Sequence, residues 1–239
     1  MNPIQDGAVP STAARAHVVR GVAALAAALL VAGCSAPPMA RLGAKAPTAV
    51  KPVGEVESYK LGKSNLKFEA DVRAANAYTI SFPGVSGTFD LSPQKPEASS
   101  FEVDIQTASA EASWSLVADI ARDHFLHVGA HPKARFASTA LRKNPKGGYT
   151  LYGNLSFHGT TKSLATPAEL TIGRCRVALG VEFSIDRHAF GAVSEGSLES
   201  VVSDTVVIRI RADLPRAGAG EACKATEKAS VEPATSPSG

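Results

Sequence analysis

Several signatures that would assign a chemistry are missing from this chain, and each absence narrows the reading. No Gly-x-Ser-x-Gly stretch occurs, so the nucleophile elbow of the α/β-hydrolases is not available. Gly218 and Gly220 lack both a third glycine and a preceding strand-to-helix context, which removes a dinucleotide fingerprint. Charge of one sign is also scarce. The formal net charge is +3, and the lysines and arginines are scattered, so nothing resembles a nucleic-acid footprint. Cysteine is rare: three residues, Cys34, Cys175 and Cys223, allow at most one bridge. Long apolar runs are absent too. The most apolar stretch, residues 21–31 (GVAALAAALLV), is about half of the roughly 20 residues that a membrane-spanning helix needs.

That short run has another reading. Arg15 and Arg20 precede it and Ala32-Gly33-Cys34 closes it, the arrangement of a secretory signal. Val31-Ala32-Gly33-Cys34 resembles the bacterial lipobox, in which the cysteine is acylated and becomes the mature N-terminus. Residues 1–33 are then expected to be a lipoprotein signal peptide, with Cys34 as the lipidation site. Two or three acyl chains make a durable anchor, because each buried methylene contributes about 0.8 kcal/mol. Ser35 rather than Asp follows the cysteine, which favours the outer membrane by analogy with enterobacterial sorting. Residues 34–56, rich in Ala, Pro and Lys, read as a tether, and residues 216–239 as a low-complexity tail. Cys175 and Cys223 can pair in an oxidising compartment or remain thiols; the sequence leaves both open.

Residues 57–215 form one domain-sized segment in which apolar and polar residues alternate. Leu66, Phe68, Ala70 and Val72 alternate with Lys67, Glu69 and Asp71; Tyr78 and Ile80 with Thr79 and Ser81; Phe101, Val103 and Ile105 with Glu102 and Asp104. The same period of two recurs over 85–91, 149–157, 177–185 and 206–212, and less regularly over 135–141 and 164–172. It predicts antiparallel strands with one wet face. One segment departs from it: residues 114–126 place Val117, Ile120 and Ala121 at helical spacing, with Ser113 as the expected N-cap. An all-β fold is expected, with about eight strands and one short helix, closed as a barrel or packed as a sandwich.

Two groups of residues invite a chemical reading. His158-Gly159-Thr160-Thr161-Lys162 is expected to close a β-hairpin, with Gly159 supplying a permissive φ. His124, His127 and His131 have spacings of three and four, which suit metal ligands on a helix, but Gly129 and Pro132 interrupt that helix. They are expected to be ordinary exposed helix-end residues, with no metal bound. No cofactor is expected.

Four motifs in order carry a family resemblance: VSGTFDLSPQKPEASSFEVDIQTAS (85–109), HPKARFAST (131–139), GNLSFHGTTKSL (153–164) and FSIDRHAFG (183–191). With them, residues 59–214 resemble the YceI-like polyisoprenoid-binding family. The stretch Leu61-Gly62-Lys63-Ser64 departs from it by lacking the histidine common at that turn, which puts head-group choice in doubt. The resemblance implies a single antiparallel, lipocalin-like extended β-barrel holding an isoprenoid lipid, such as a polyprenyl or quinone tail, and no enzyme activity. The inward alternation then supplies the expected lining: Phe68, Val72, Tyr78, Ile80, Phe82, Phe89, Val103, Ile105, Phe136, Leu155, Phe157, Phe183, Ile185 and Ile208, with Trp114 and Phe125 capping one end. Expected partners are that lipid and, through Cys34, a membrane in the bacterial envelope. Two rival readings are a packed barrel serving as a scaffold for protein contacts, and a lipid-modifying enzyme using Asp186 with His188.

Overall fold

The computed structural model describes residues 36–216 and Cys223. The expected signal peptide, Cys34 and most of the tail lie outside the described residues.

Alternation becomes strand wherever it was read. The strands are β1 (Arg41–Leu42), β2 (Glu57–Gly62), β3 (Leu66–Arg73), β4 (Ala77–Ser81), β5 (Val85–Leu91), β6 (Ser100–Gln106), β7 (Lys133–Lys143), β8 (Tyr149–Phe157), β9 (Thr160–Ile172), β10 (Arg176–Asp186) and β11 (Thr205–Pro215). Ten of them follow one antiparallel path, β2-β5-β6-β7-β8-β9-β10-β11-β3-β4, and β1 adds to β9. The sheet curls into a barrel-like trough, its apolar faces inward around one continuous core. Its hydrogen-bonded path is open between β2 and β4. At one end the Arg216 guanidinium grips the Glu57 carboxylate at 2.9 Å, tying the end of β11 to β2. Against burial, which raises it, hydrogen bonds from Arg216 and from the Tyr59 hydroxyl, with the arginine's charge, hold that carboxyl below its ordinary range.

One correction is β2, absent from the predicted strands, and its residues show the cause. Glu57, Tyr59 and Leu61 share the more protected side of this strand, and an inward glutamate breaks the apolar signature that reveals the others. The turn between β8 and β9 is the expected one. Phe157 pairs with Thr160, and the two residues between them, His158 and Gly159, both have positive φ (50° and 74°), as a tight hairpin requires.

A second correction concerns the expected tether. Strands β9 and β10 pair only from Ala168 with Val181 to Ile172 with Val177. Beyond that they part, and residues 38–43 fill the gap. Ser184 N–H donates to the Pro38 carbonyl (2.9 Å), Ala40 N–H to Ser184 (2.8 Å) and Gly43 N–H to Ser163 (2.8 Å). Arg41 and Leu42 pair with Ala165 and Leu164. Backbone groups that a splayed sheet would leave unpaired acquire partners in this way. Two short helices cover one end of the trough: α1 (Ser115–Ile120), continued by a wider turn over 121–125, and α2 (Ser197–Val201). Ser113 does not cap α1; Trp114 occupies that position without a side-chain bond.

At the opposite end Cys175 and Cys223 are joined, with Cα atoms 5.4 Å apart and 48 residues of separation. Closing a loop of that length restricts the unfolded chain, so Cys175→Ser is expected to cost about 2–4 kcal/mol. Urea unfolding without reductant would measure it; a loss below about 0.5 kcal/mol would mean that the bridge is energetically idle.

Candidate functional site

Beneath α1 and α2 the trough is not filled. A cavity of about 280 Å³, close to the lower end of the roughly 300–1,000 Å³ typical of ligand sites, opens there between almost entirely apolar walls. Each wall comes from the inward parity of a strand: Phe68 and Val72 on β3, Tyr78 and Ile80 on β4 with Phe82 just beyond it, Ile105 on β6, Phe136 on β7, Leu155 and Phe157 on β8, Phe183 and Ile185 on β10, and Ile208 on β11. Trp114 and Phe125 line it from the helical cover.

Two expected lining residues lie elsewhere. Phe89 and Val103 are packed away from the cavity, 2 % and 0 % exposed. Phe89 stacks on Tyr59 at 6.3 Å and meets Phe101 edge-on at 6.2 Å, and Phe101 in turn contacts Phe136 at 6.1 Å. This aromatic series plugs the trough, and Phe136 is the floor of the cavity. Gly153 makes room for it: a Cβ there would lie 2.4 Å from the Phe136 ring.

Sequence reasoning missed several contributors. Ala70 and Ala134 line the walls as small residues that keep the space open. The segment between β10 and β11 contributes Ala192, Leu198 and Val202, and α2 is too short for its periodicity to be read. The largest omission is Arg187, a charged residue only 3 % exposed at an apolar cavity. Its guanidinium donates through Nη1 to the Ala192 carbonyl and the Glu199 carboxylate (both 2.9 Å), and through Nε and Nη2 to the Ser203 and Val202 carbonyls (both 3.2 Å). It also sits 5.2 Å from the centre of the Phe125 ring. With so many donors engaged by its own loop, Arg187 anchors the α2 segment over the cavity. The same contact, helped by the Ser194 N–H and by His188, holds the Glu199 carboxyl at about 2.

The expected histidine trio is regrouped. His124 is exposed, while His127 and His131, half-buried rather than exposed, meet His158 from the β8–β9 turn. His127 Nδ1 lies 2.8 Å from His158 Nε2, and the ring centres of His131 and His158 are 4.0 Å apart with the planes tilted by 46°. The Thr107 hydroxyl donates to the His131 carbonyl (2.7 Å) and fixes that loop. The cluster thus joins the end of the α1 segment to the hairpin beside the cavity-lining Phe157.

Burial lowers the His158 pKa below its ordinary value, and the nearby His131 and His127 add to this against the opposing Phe190 backbone hydrogen bond. A folded pKa below the unfolded one means that the unfolded chain binds more protons, so stability is lost as pH falls through the histidine range near 6.5. His158→Asn, which keeps a residue tolerant of positive φ, is expected to flatten the fall of Tm between about pH 7.5 and pH 5.5. Parallel slopes in the two proteins would mean that His158 does not set the dependence.

Asp186 and His188 are not a cavity pair. Asp186 accepts the His188 N–H (2.9 Å) at the start of a short helical turn, and the exposed His188 ring turns to Glu199. His188, Glu199 and Asp204 bring their ligand atoms within 4.8 Å of one another, but Arg187 already bonds both carboxylates.

The profile of the YceI-like domain matches residues 59–214, well over half of the chain. The chain belongs to the YceI-like family. Among curated relatives it is 33 % identical over 171 residues to a UPF0312 protein of Pseudomonas fluorescens, covering 65 % of this chain and 88 % of that one. It is 36 % identical over 92 residues to a UPF0312 protein of Yersinia enterocolitica, 38 % and 47 % of the two chains. The chain thus spans about half the length of several curated relatives it matches. Among solved structures, BcnA of Burkholderia cenocepacia has a TM-score of 0.59 at 20 % identity, covering 64 % of this chain and 98 % of that one. The Campylobacter jejuni YceI protein has a TM-score of 0.52 at 19 % identity, covering 57 % and 84 %. At these identities the likeness concerns the fold: a YceI-like curled antiparallel sheet with few helices.

Proposed function

We propose that this YceI-like protein is a non-enzymatic carrier, anchored through an acylated Cys34 on the periplasmic face of a bacterial envelope membrane, that holds an isoprenoid chain of polyprenyl or quinone type. The observation that carries the reading is the cavity itself: apolar side chains on every wall, a mouth beside Trp114, and one charge, Arg187, whose donors are engaged within its own loop. Such a site recognises shape and apolar surface rather than a polar group. Each 100 Å² of ligand surface covered contributes about 2.5 kcal/mol, which supports binding with few polar contacts once association costs are met. The aromatic plug limits depth, so the cavity takes one end of a chain and leaves a head group at the mouth.

Trp114 is the sole tryptophan and lines that mouth. Titrating the chain with a short polyprenol is expected to give a saturable shift of its emission at one ligand per protein. A response that never saturates, or none, would oppose the carrier reading.

A further inference from the structure

Resting on the carrier reading and on acylation of Cys34, we infer that the rim of the cavity mouth is a membrane-contact surface, kept near the phospholipid bilayer by a leash of only three residues. Two independent observations carry this. The first is where apolar surface is left in water. Seven large apolar side chains are exposed among the described residues, and four belong to the two segments that cover the cavity: Trp114 (56 %), Leu116 (46 %), Val193 (46 %) and Val201 (55 %). Trp114 and Leu116 are themselves lining residues, while Val193 and Val201 adjoin the lining residues Ala192 and Val202. Through Trp114 and Leu116 the apolar interior wall continues onto exposed surface at the rim. Tryptophan with aliphatic neighbours suits the bilayer interface, where an amphipathic ring sits at head-group level.

The second observation is the length of chain between anchor and domain. A free tether from Cys34 to the start of β2 would let the domain stand up to about 80 Å away. Residues 38–43 are instead bonded into the gap between β9 and β10. Only three residues, Ser35, Ala36 and Pro37, separate Cys34 from Pro38, a reach of at most about 14 Å. Pro38 bonds Ser184, two residues before β10 ends at the cavity end, a further rise of about 7 Å. An anchor on Cys34 thus holds the cavity end of β10 within about 21 Å of the lipid surface, and Met39, 53 % exposed, adds an apolar side chain beside Pro38, where the leash meets the sheet. A ligand chain could then pass between bilayer and cavity with little of its surface crossing water.

The test uses the full acylated chain, reconstituted in phosphatidylcholine vesicles whose acyl chains carry bromine near the head group. The sole tryptophan is the probe. Its emission is expected to be blue-shifted and quenched at least about twofold relative to unbrominated vesicles, because contact quenching needs Trp114 within the interface. An unquenched Trp114, whether the rim faces away or Cys34 carries no acyl chain, would overturn the inference. Lipid extracted from the same protein before reconstitution separates the two ideas. An isoprenoid retained with Trp114 unquenched sinks membrane contact and leaves the carrier reading standing. Quenching with no isoprenoid retained sustains membrane contact and sinks the carrier reading.

Discussion

Replacing Arg187 by methionine is expected to lower the stability of the folded domain by about 3–5 kcal/mol, the range for removing one partner of a buried ion pair. Methionine fills similar space but leaves the carbonyls of Ala192, Val202 and Ser203 without their donor and the Glu199 carboxylate without its cation. A typical domain has only about 5–15 kcal/mol to lose. Lysine should rescue little, since one ammonium cannot reproduce a planar fork that bonds four groups at once. The linked acid behaviour has a definite sign. With Arg187 in place the Glu199 pKa is held at about 2, so its contribution is complete above the ordinary carboxylate range and is lost only as pH falls toward 2. The α2 cover therefore stays fastened at mildly acid pH, and the cost of the substitution should be nearly the same at pH 7 and pH 4.5, narrowing only as pH falls further toward 2. Urea unfolding at pH 7 and pH 4.5 would measure both effects; a change of less than about 1 kcal/mol would show that the loop does not depend on this arginine.

Filling the cavity should separate binding from folding. Ala70 lies on β3 in register with Ile208 of β11 and Ile80 of β4, and all three line the space. In Ala70→Phe the added ring would occupy volume that an isoprenoid needs, so affinity is expected to fall at least about tenfold, equivalent to about 1.4 kcal/mol. Tm should stay level or rise, because the ring occupies existing space and removes no packing. Unchanged binding in a folded Ala70→Phe protein would place the ligand elsewhere. Loss of binding with a large drop in Tm would instead report overpacking.

The architecture was legible because a trough with a dry inside and a wet outside imposes period two on each strand that builds it. Phe68, Ile105, Leu155 and Phe183 could be placed inward by parity alone, and all four line the cavity. Depth along a strand leaves no such trace. Phe89 and Val103 have the same inward parity, yet they lie in the plugged part, where the Tyr59–Phe89–Phe101 series meets Phe136. Strand β2 hid behind an inward Glu57 whose partner, Arg216, is 159 residues away. Residues 38–43 hid because a segment that fills a gap mainly through its backbone needs no apolar alternation. The histidine spacing on one helix drew attention to His124, whereas the fold brings His127 and His131 to His158 across 31 and 27 positions of sequence. Contacts between distant segments are what local pattern cannot carry.

The central claim, that the cavity holds an isoprenoid lipid, is tested most directly by native mass spectrometry of the chain carrying Cys34→Ser, purified without detergent, followed by solvent extraction of whatever it retains. The expected result is a stoichiometric adduct that extracts as a polyprenyl or quinone species and is lost in Ala70→Phe. A clean unliganded mass that stays unchanged when isoprenoids are added would contradict it.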